Sequence, residues 1–297
     1  EEYDLEDVLQ DTRDKLDGIF VDSSSNISTM KDAVEGVYKQ IELNLSGKTG
    51  LTGSPTGFTE FDDRSGGLQK SDLIIIAADT SSGKTSLAMK IAMNAGCNIA
   101  FYSMEMKKEQ IAARMLSIQS GVPANIIQYS RMTDVQLSMI DSGIAKILDK
   151  PVFFDDRSTS SIDSILASIR SLKIKQNIDG VIVDYLQILT VNQKGLNKEQ
   201  QLADAARRLK NIAKELDIWV IALSQLNRDT ANPVPSLGRL RDSGQIAEAA
   251  DTVILIYRPE NYDRSYPEPF KNANTSGTAM IDIAKGRNVG TFKFLVG

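Results

Sequence analysis

The run ADTSSGKTS, which begins at Ala78, has the composition and spacing of a loop that binds phosphate. It follows the pattern GxxxxGK[ST], except that an alanine stands where the pattern has its first glycine. When such a loop joins a strand to a helix, its backbone N–H groups point inward and hold phosphate oxygens. The predicted nucleotide-binding loop consists of Ala78, Asp79, Thr80, Ser81, Ser82, Gly83, Lys84, Thr85 and Ser86.

Three residues of this run have separate chemical roles. Gly83 lets the backbone come close to a phosphate, and Lys84 places a positive charge on the β- and γ-phosphates. Thr85 offers a hydroxyl group to Mg²⁺. The alternative is an ordinary strand–helix turn with a surface lysine. The apolar run before the loop and the helical pattern after it favour phosphate binding, so the sequence predicts ATP and Mg²⁺ as the bound groups.

Two carboxylates follow other predicted strands. Glu105 comes just after the strand Ile99 to Ser103, where it would polarise the attacking water; the alternative is an acid at a helix N-terminus. Asp184 ends the apolar run in VIVDYLQ, as expected of the acid that holds Mg²⁺ directly or through water; the alternative is a turn former. Ligands of open α/β sheets bind beyond the carboxyl ends of the strands, which favours the catalytic interpretation of both.

A neutral side chain ends a fourth strand. Gln225 follows the apolar run IWVIALS and would sense the γ-phosphate through a hydrogen bond. The alternative is that it satisfies a buried backbone group. Together with the phosphate loop, four strand ends then carry groups suited to hydrolysis of a nucleotide.

These residues require a sheet whose strands end at one edge, and the sequence after residue 48 has the pattern of such a sheet. Apolar runs alternate with helical patterns, which indicates an α/β fold with a doubly wound, mostly parallel sheet flanked by helices. The last strands are not separated by long helices, so we expect antiparallel C-terminal strands. The predicted strands are Leu73 to Ala78, Ile99 to Ser103, Val152 to Asp155, Val181 to Tyr185, Ile218 to Ser224, Thr252 to Tyr257, Thr278 to Ala284 and Thr291 to Val296. The predicted helices are Lys84 to Ala95, Lys107 to Ser120, Asp134 to Leu148, Ser161 to Gln176 and Lys198 to Asp217.

The first 48 residues have a different character. They predict two helices, of which the second carries an apolar stripe from Met30 to Leu45 and a cap made by Thr29 with Asp32. A run rich in Gly, Ser and Thr follows and indicates a linker or surface loop. We therefore predict two domains, a helical N-terminal segment over 1–48 and an ATPase domain over 49–297.

Composition excludes several other functions. The sequence has no histidine, which removes His-dependent triads and His-ligated zinc, and its one cysteine, Cys97, cannot form an intrachain disulfide. We expect a cytoplasmic protein without a membrane span. Residues 1–50 hold 12 acidic and 5 basic residues, and the remainder holds 27 acidic and 29 basic residues. The main domain is thus close to neutral, so nucleic acid would be bound through local basic loops.

From about Leu51 to the C-terminus, the sequence resembles the motor domain of DnaB-type replicative helicases. The resemblance is carried by an ordered set of motifs: PTGFTEFD, GGLQKSDLIIIAADTSSGKT, FYSMEM, VDYLQI, SQLNR, LRDSGQI and AKGRNVGTFKF. The phosphate loop that starts with alanine also occurs in that family. The resemblance implies that Glu105 is the catalytic glutamate, that Asp184 is the Walker B aspartate and that Gln225 couples the γ-phosphate to the DNA loops.

The resemblance also assigns roles that the residues alone would not. Lys285 and Arg287, in AKGRN, match a lysine and an arginine finger that reach the neighbouring subunit's nucleotide; the alternative is a solvated basic turn. A channel loop that contacts single-stranded DNA is implied by Arg241, Asp242 and Gly244, in LRDSG. Its alternative is a surface turn. Arg228 lies in the SQLNR motif.

The implied function is an ATP-dependent replicative DNA helicase motor that moves on single-stranded DNA and unwinds duplex. The implied partners are single-stranded DNA, further copies of this chain in a homo-oligomeric ring, expected to be a hexamer, and a primase and a helicase loader. The stripe from Met30 to Leu45 would pack on the adjacent subunit of the ring, or alternatively on its own domain. Two further alternatives remain open, a RecA-type recombinase or repair ATPase and a nucleotide-gated binding module such as a helicase loader.

Overall fold

A computed structural model of the chain describes residues 29–45, 51–157, 161–191, 197–227, 229 and 231–297. The chain divides into two compact units, Glu1–Gly50 and Leu51–Gly297. The predicted first helix, Arg228 and part of the predicted linker lie outside the described residues. No helix in the described ranges is long and apolar enough to cross a membrane.

The described part of the first unit is one helix, Met30–Leu45, here called α1. It begins as predicted, because the Thr29 backbone N–H donates to Asp32 Oδ2 at 2.8 Å while the Asp32 N–H donates to Thr29 Oγ1 at 3.2 Å. The large side chains of its apolar stripe are exposed.

The second unit is built on a sheet with the strand order β3-β2-β4-β5-β1-β6-β7-β8. Its strands are β1 Leu73–Ala78, β2 Ile99–Ser103, β3 Val152–Asp155, β4 Gly180–Asp184, β5 Trp219–Gln225, β6 Thr252–Tyr257, β7 Ala279–Gly286 and β8 Phe292–Val296. β1 to β6 pair in parallel, whereas β7 and β8 pair antiparallel. Each predicted strand is present, and the predicted antiparallel extension is confirmed.

Helices cover both faces of this sheet. They are α2 Thr59–Ser65, α3 Lys84–Asn94, α4 Lys108–Ser120, α5 Ala124–Tyr129, α6 Asp134–Ile147, α7 Ile162–Gln176, α8 Lys198–Glu215 and α9 Gly244–Ala249. One apolar core packs α7, α8 and α9 on one face, and a second packs α2, α3 and α4 on the other. Both faces of the central strands are buried, which is why β1, β2 and β4 are apolar at nearly every position.

The predicted helices differ from the observed ones by at most two residues at an end. The helices α2, α5 and α9 were not predicted, because elements of six or seven residues are too short for an apolar period to be seen. Short 3₁₀ helices over Leu186–Ile188, Leu237–Ser243 and Pro259–Tyr262 were also not predicted.

Candidate nucleotide site

The phosphate loop connects β1 to α3 in a tight turn. Gly83, just before α3, has φ 97° and ψ 15°, in the left-handed region that favours glycine. A Cβ at this position would meet no protein atom within 4 Å. Glycine therefore suits the backbone conformation of this turn, and its predicted close approach to a phosphate stays a prediction.

The ammonium group of Lys84 lies over the start of the loop. Its Nζ donates to the backbone carbonyls of Ala78 at 3.1 Å and Asp79 at 3.2 Å. Burial lowers the pKa of Lys84, although the carboxylates of Asp184, Asp79 and Glu105 oppose this effect. A phosphate in the loop would offer this partly buried cation a charged partner in place of two neutral carbonyls.

The hydroxyl of Thr85 and the carboxylate of Asp184 form the second contact of the site. Thr85 Oγ1 donates to Asp184 Oδ2 at 2.8 Å. Asp184 is only 4% exposed, and burial raises its pKa; the Thr85 hydrogen bond lowers that pKa and nearby Glu105 raises it. A hydroxyl and a carboxylate oxygen held together are ligands suited to Mg²⁺, which prefers oxygen donors and commonly shares them with substrate phosphates.

Sheet order explains how residues far apart in sequence meet here. β2, β4, β5 and β1 are neighbours, and their carboxyl ends lie at one edge of the sheet. A cavity of about 470 Å³ at that edge brings together most of the predicted residues with some that were not predicted. It is lined by Thr80, Ser81, Gly83, Lys84, Thr85, Ser86, Glu105, Met106, Arg114, Asp184, Tyr185, Gln225 and Arg258.

Ala78, Asp79 and Ser82 belong to the predicted loop but do not line this cavity. Ala78 and Ser82 are buried, and Asp79 turns its carboxylate to other parts of the chain. Glu105 lies in the turn between β2 and α4, two residues before the N-cap residue Lys107, so it is not part of the helix.

Gln225 contacts the loop directly. Its side-chain Nε2 donates to Thr80 Oγ1 at 2.8 Å. Its backbone is braced by Gln187, whose amide accepts from Gln225 N–H at 3.2 Å and donates to the Gln225 carbonyl at 3.1 Å. Among the described residues, the Gln225 side chain thus bonds to a hydroxyl of the loop and not to a buried backbone group, which was the alternative. This contact places it where it could respond to the loop.

Two of the unpredicted residues bring positive charge. Arg258 directly follows β6, so the rule that ligands bind beyond carboxyl ends of strands could have identified it. Arg114 lies within α4, and no local pattern marks it. Both cations suit a pocket for a polyanion.

A second cavity of about 400 Å³ adjoins the first through Gly83, Ser86 and Arg258. Its further lining is largely apolar and includes Phe58, Leu87, Ile118, Ile256, Ile281 and Val296. The two cavities together therefore offer a polar part beside the loop and an apolar part next to it.

Lys285 and Arg287 lie near the amino ends of the parallel strands, opposite to the carboxyl ends that carry the phosphate loop. β7 runs antiparallel to β6, and Gly286 pairs with Thr252 at the start of β6. The first residue after β7 is therefore remote from the carboxyl edge that carries the phosphate loop. Neither cation lines the cavity of its own chain.

Both side chains nevertheless have hydrogen-bond partners within their own chain. Lys285 Nζ donates to the carbonyls of Ala247 at 2.6 Å and Ala250 at 2.7 Å, at the end of α9. Burial, and secondly the charge of Arg287, lower the pKa of Lys285. Arg287 donates to Asp251 Oδ1 at 3.2 Å, and its side chain is 52% exposed. Lys285 is thus not part of a freely solvated basic turn.

The segment with Arg241, Asp242 and Gly244, which the resemblance implied to be a channel loop, has a helical backbone. It comprises the end of the 3₁₀ helix Leu237–Ser243 and the first residues of α9. The side chains of Arg241 and Asp242 lie outside the described part of the structure, as do the contacts of Gly244.

The strand order, with a phosphate loop after β1, defines the class of fold: a RecA-like P-loop ATPase domain, as predicted. Residues 53–295 match the family described as DnaB-like helicase C terminal domain. The chain therefore belongs to the DnaB-like helicase C-terminal domain family, which confirms the resemblance carried by its motifs.

Curated relatives include the replicative DNA helicase DnaB of Leifsonia xyli subsp. xyli, which is 35% identical over 266 residues, 87% of this chain and 57% of the relative. The replicative DNA helicase DnaC of Bacillus subtilis is 32% identical over 304 residues, 97% of this chain and 65% of the relative. The chain thus spans 57% to 65% of the length of these relatives.

Two solved structures are similar to the chain. One, described as an ATPase domain, has a TM-score of 0.81 at 29% identity, with 91% of this chain and 95% of that chain covered. A DnaB-like replicative helicase, described with its interactions with primase, has a TM-score of 0.78 at 28% identity, with 93% and 67% covered.

Proposed function

We propose that this chain is the ATP-driven motor domain of a replicative DNA helicase, which moves along single-stranded DNA and unwinds the duplex at a fork. The observation that carries this proposal is the meeting of Lys84, Glu105, Asp184 and Gln225 in one cavity at the carboxyl edge of the sheet. Family membership supports a helicase over a recombinase or a loader.

The residues of the cavity have complementary roles in hydrolysis of ATP. Backbone N–H groups of the loop and Lys84 bind the β- and γ-phosphates. Thr85 and Asp184 would hold Mg²⁺, which would neutralise charge that develops on the phosphates. Glu105 orients the attacking water and accepts its proton. Gln225, tied to Thr80, responds to the γ-phosphate.

The neighbouring apolar cavity is suited to the base and ribose of the nucleotide. It shares Gly83 and Ser86 with the cavity beside the phosphate loop, so one bound nucleotide could occupy both cavities. Arg258 lines both cavities and would lie near the join between sugar and phosphates.

We further propose that copies of the chain form a ring, with a hexamer expected, because Lys285 and Arg287 cannot serve the nucleotide of their own chain from the opposite edge of the sheet. They would instead reach the neighbour's γ-phosphate, so hydrolysis would depend on the adjacent subunit. The exposed apolar stripe of α1 would pack on that neighbour. Single-stranded DNA would lie against the segment with Arg241, Asp242 and Gly244.

The segment over 1–48 and the ATPase domain over 49–297 are proposed as separate domains in a cytoplasmic protein. A primase and a helicase loader are proposed partners. For primase, support comes from the solved DnaB-like helicase whose description includes that interaction.

The test is strand displacement on a forked DNA duplex, with Mg²⁺ and ATP, by the wild-type chain and by Lys84→Ala. We expect ATP-dependent displacement by the wild type and none by the variant. ATP hydrolysis without displacement, under conditions in which the wild type forms rings on DNA, would contradict a helicase motor and favour a recombinase or switch. Full turnover by Lys84→Ala would contradict the nucleotide site itself.

A further inference from the structure

Asp79, the second residue of the phosphate loop, faces away from the nucleotide cavity and is fully engaged by two other parts of the chain. Its Oδ1 accepts from Arg239 Nη2 at 2.6 Å, and its Oδ2 accepts from the Tyr262 hydroxyl at 2.7 Å. The side chain of Asp79 is 14% exposed and that of Arg239 is 9% exposed. This is a sheltered ion pair, so it is screened much less than a pair at the surface.

Arg239 joins three segments. Besides Asp79, its guanidinium donates to the carbonyl of Asn227 at 2.7 and 3.0 Å and to that of Pro233 at 2.9 Å. Asn227 in turn donates its N–H to the Arg239 carbonyl at 3.1 Å and follows β5 by two residues. A planar guanidinium with several directed donors fixes the orientation of what it binds, which a lysine ammonium would not do.

Arg239 also belongs to the segment that leads into the proposed DNA contact. It lies in the 3₁₀ helix Leu237–Ser243, which continues directly into α9. Because the segment is helical from Leu237 to Ala249, a shift of Arg239 together with Asp79 would be passed along the helical backbone to residues two to five positions beyond Arg239.

Tyr262 holds the other carboxylate oxygen in place. It ends the 3₁₀ helix Pro259–Tyr262, and its ring stacks on Tyr257 at a centroid distance of 6.2 Å. Burial and the adjacent Asp79 carboxylate raise the pKa of Tyr262 to about 12, so its hydroxyl keeps the proton that it donates.

The backbone of Asp79 touches the catalytic side of the loop. Its carbonyl accepts from Lys84 Nζ at 3.2 Å and from the Ser82 N–H at 3.3 Å. Phosphate bound in the loop would compete with this carbonyl for the ammonium of Lys84. One residue thus contacts the phosphate-binding lysine through its backbone and Arg239 through its side chain.

We propose that the Asp79–Arg239 ion pair, braced by Tyr262, links occupancy of the phosphate loop to the position of the segment Leu237–Ala249. Arg239 and Tyr262 are positioning residues in this link. Its role in DNA-dependent turnover rests on the proposed function, whereas the link itself is a property of the fold. A pair that only stabilised the fold would not make the segment respond to nucleotide.

The first experiment measures hydrogen exchange of the backbone amides in residues 237–249, with and without Mg²⁺ and a slowly hydrolysed ATP analogue. The chains compared are the wild type, Arg239→Gln and Tyr262→Phe. The control is Arg170→Gln, which breaks a surface ion pair between α7 and α8, with Arg170 Nε 2.7 Å from Glu215 Oε1.

We expect nucleotide to change exchange in this segment in the wild type and in the control. In Arg239→Gln the change is lost, and in Tyr262→Phe it is reduced. Tyr262→Phe removes one hydroxyl and keeps the ring. It therefore tests the link even if Arg239→Gln does not fold. No response in the wild type, or an undiminished response in both single variants, would overturn the link.

The second experiment compares ATP turnover with and without single-stranded DNA. We expect the stimulation by DNA to fall by about 2- to 30-fold in Arg239→Gln, a range typical of residues that carry coupling between sites. Stimulation should remain normal in Arg170→Gln. Absence of DNA stimulation in the wild type would count against the proposed helicase, and hydrogen exchange would still decide the link. Stimulation unchanged in Arg239→Gln would overturn the coupling to DNA.

Discussion

Thr85 Oγ1 donates a hydrogen bond of 2.8 Å to Asp184 Oδ2, although the two residues are 99 positions apart in the chain. Thr85 lies in the first turn of α3, and Asp184 ends β4. The strand β5 lies between β4 and β1 in the sheet, so the contact spans two strand spacings at the carboxyl edge. This pair of oxygen atoms is the proposed site for Mg²⁺.

Replacing Thr85 by valine should weaken Mg²⁺ binding, because valine has nearly the shape of threonine but no oxygen. We expect the apparent Mg²⁺ affinity to fall by at least about 10-fold, while Thr85→Ser retains it because the hydroxyl is kept. The measurement is ATP turnover as a function of Mg²⁺ concentration. Equal Mg²⁺ dependence in the valine and serine variants would show that this hydroxyl is not a ligand.

Replacing Asp184 by asparagine should stabilise the protein at neutral pH in the absence of nucleotide and Mg²⁺. Burial raises the folded-state pKa above 3.8, so between that value and the folded pKa the folded state keeps a proton that the unfolded state has lost. The free energy of unfolding of the wild type therefore falls as pH rises through this window, and the loss persists above it. Asparagine does not ionise and avoids the loss.

The measurement for Asp184→Asn is the thermal midpoint from below pH 3.8 to neutral pH, in EDTA. The advantage of the variant should vanish at the acid end, while its ATP turnover is lost at every pH. A variant less stable than the wild type at neutral pH would show that the ionised carboxylate makes a net favourable contribution even without a metal.

Replacing Glu105 by glutamine should separate binding from chemistry. Glutamine keeps the size and hydrogen-bonding ability of the side chain but cannot accept a proton. We expect kcat for ATP to fall by about 10²- to 10⁴-fold, the range of general base catalysis, with little change in nucleotide affinity. Single-turnover hydrolysis measures the chemical step, and titration with a fluorescent ATP analogue measures nucleotide affinity. An equal loss of nucleotide affinity would show that Glu105 contributes to the binding of ATP and not specifically to the chemical step.

Replacing Arg287 by alanine should inhibit neighbouring subunits in a ring. Its ion pair with Asp251 is largely exposed on the arginine side, so we expect a stability cost of no more than about 1 kcal/mol. ATP turnover should be measured in mixtures of Arg287→Ala with Lys84→Ala, each of which is expected to be inactive alone. Recovery of turnover in the mixture indicates action between subunits, because the intact loop of one variant then meets the intact arginine of the other; no recovery indicates that each subunit works alone.

Replacing Gly180 by alanine should destabilise the sheet. A Cβ there would come within 2.0 Å of the Trp219 ring, which is fully buried on the neighbouring strand. We expect a loss of about 1–3 kcal/mol in the free energy of unfolding, as for an overpacked core. Urea unfolding followed by the fluorescence of the single tryptophan measures it. The same change at Gly36 in α1, where nothing lies within 4 Å, is the control and should be neutral or slightly stabilising.

The sequence was enough for features whose cause is local. The phosphate loop could be recognised because strand, glycine, lysine and threonine must be contiguous to enclose a phosphate. Glu105, Asp184 and Gln225 could be found because each lies at or just after the end of an apolar strand, and the carboxyl ends of parallel strands lie together. The family could be recognised from motifs such as DYLQ and LRDSG, which the match over residues 53–295 confirms.

Only the tertiary structure decided which of these local features meet. It placed β2, β4 and β5 beside β1, and it added Arg114 and Arg258 to the cavity. Arg114 carries no sequence signal, because its role depends on how α4 packs on the sheet. The pairing of Asp79 with Arg239, 160 positions later, depends on strand order in the same way. A local pattern specifies an element, but the contacts between distant elements arise when their apolar faces are buried together.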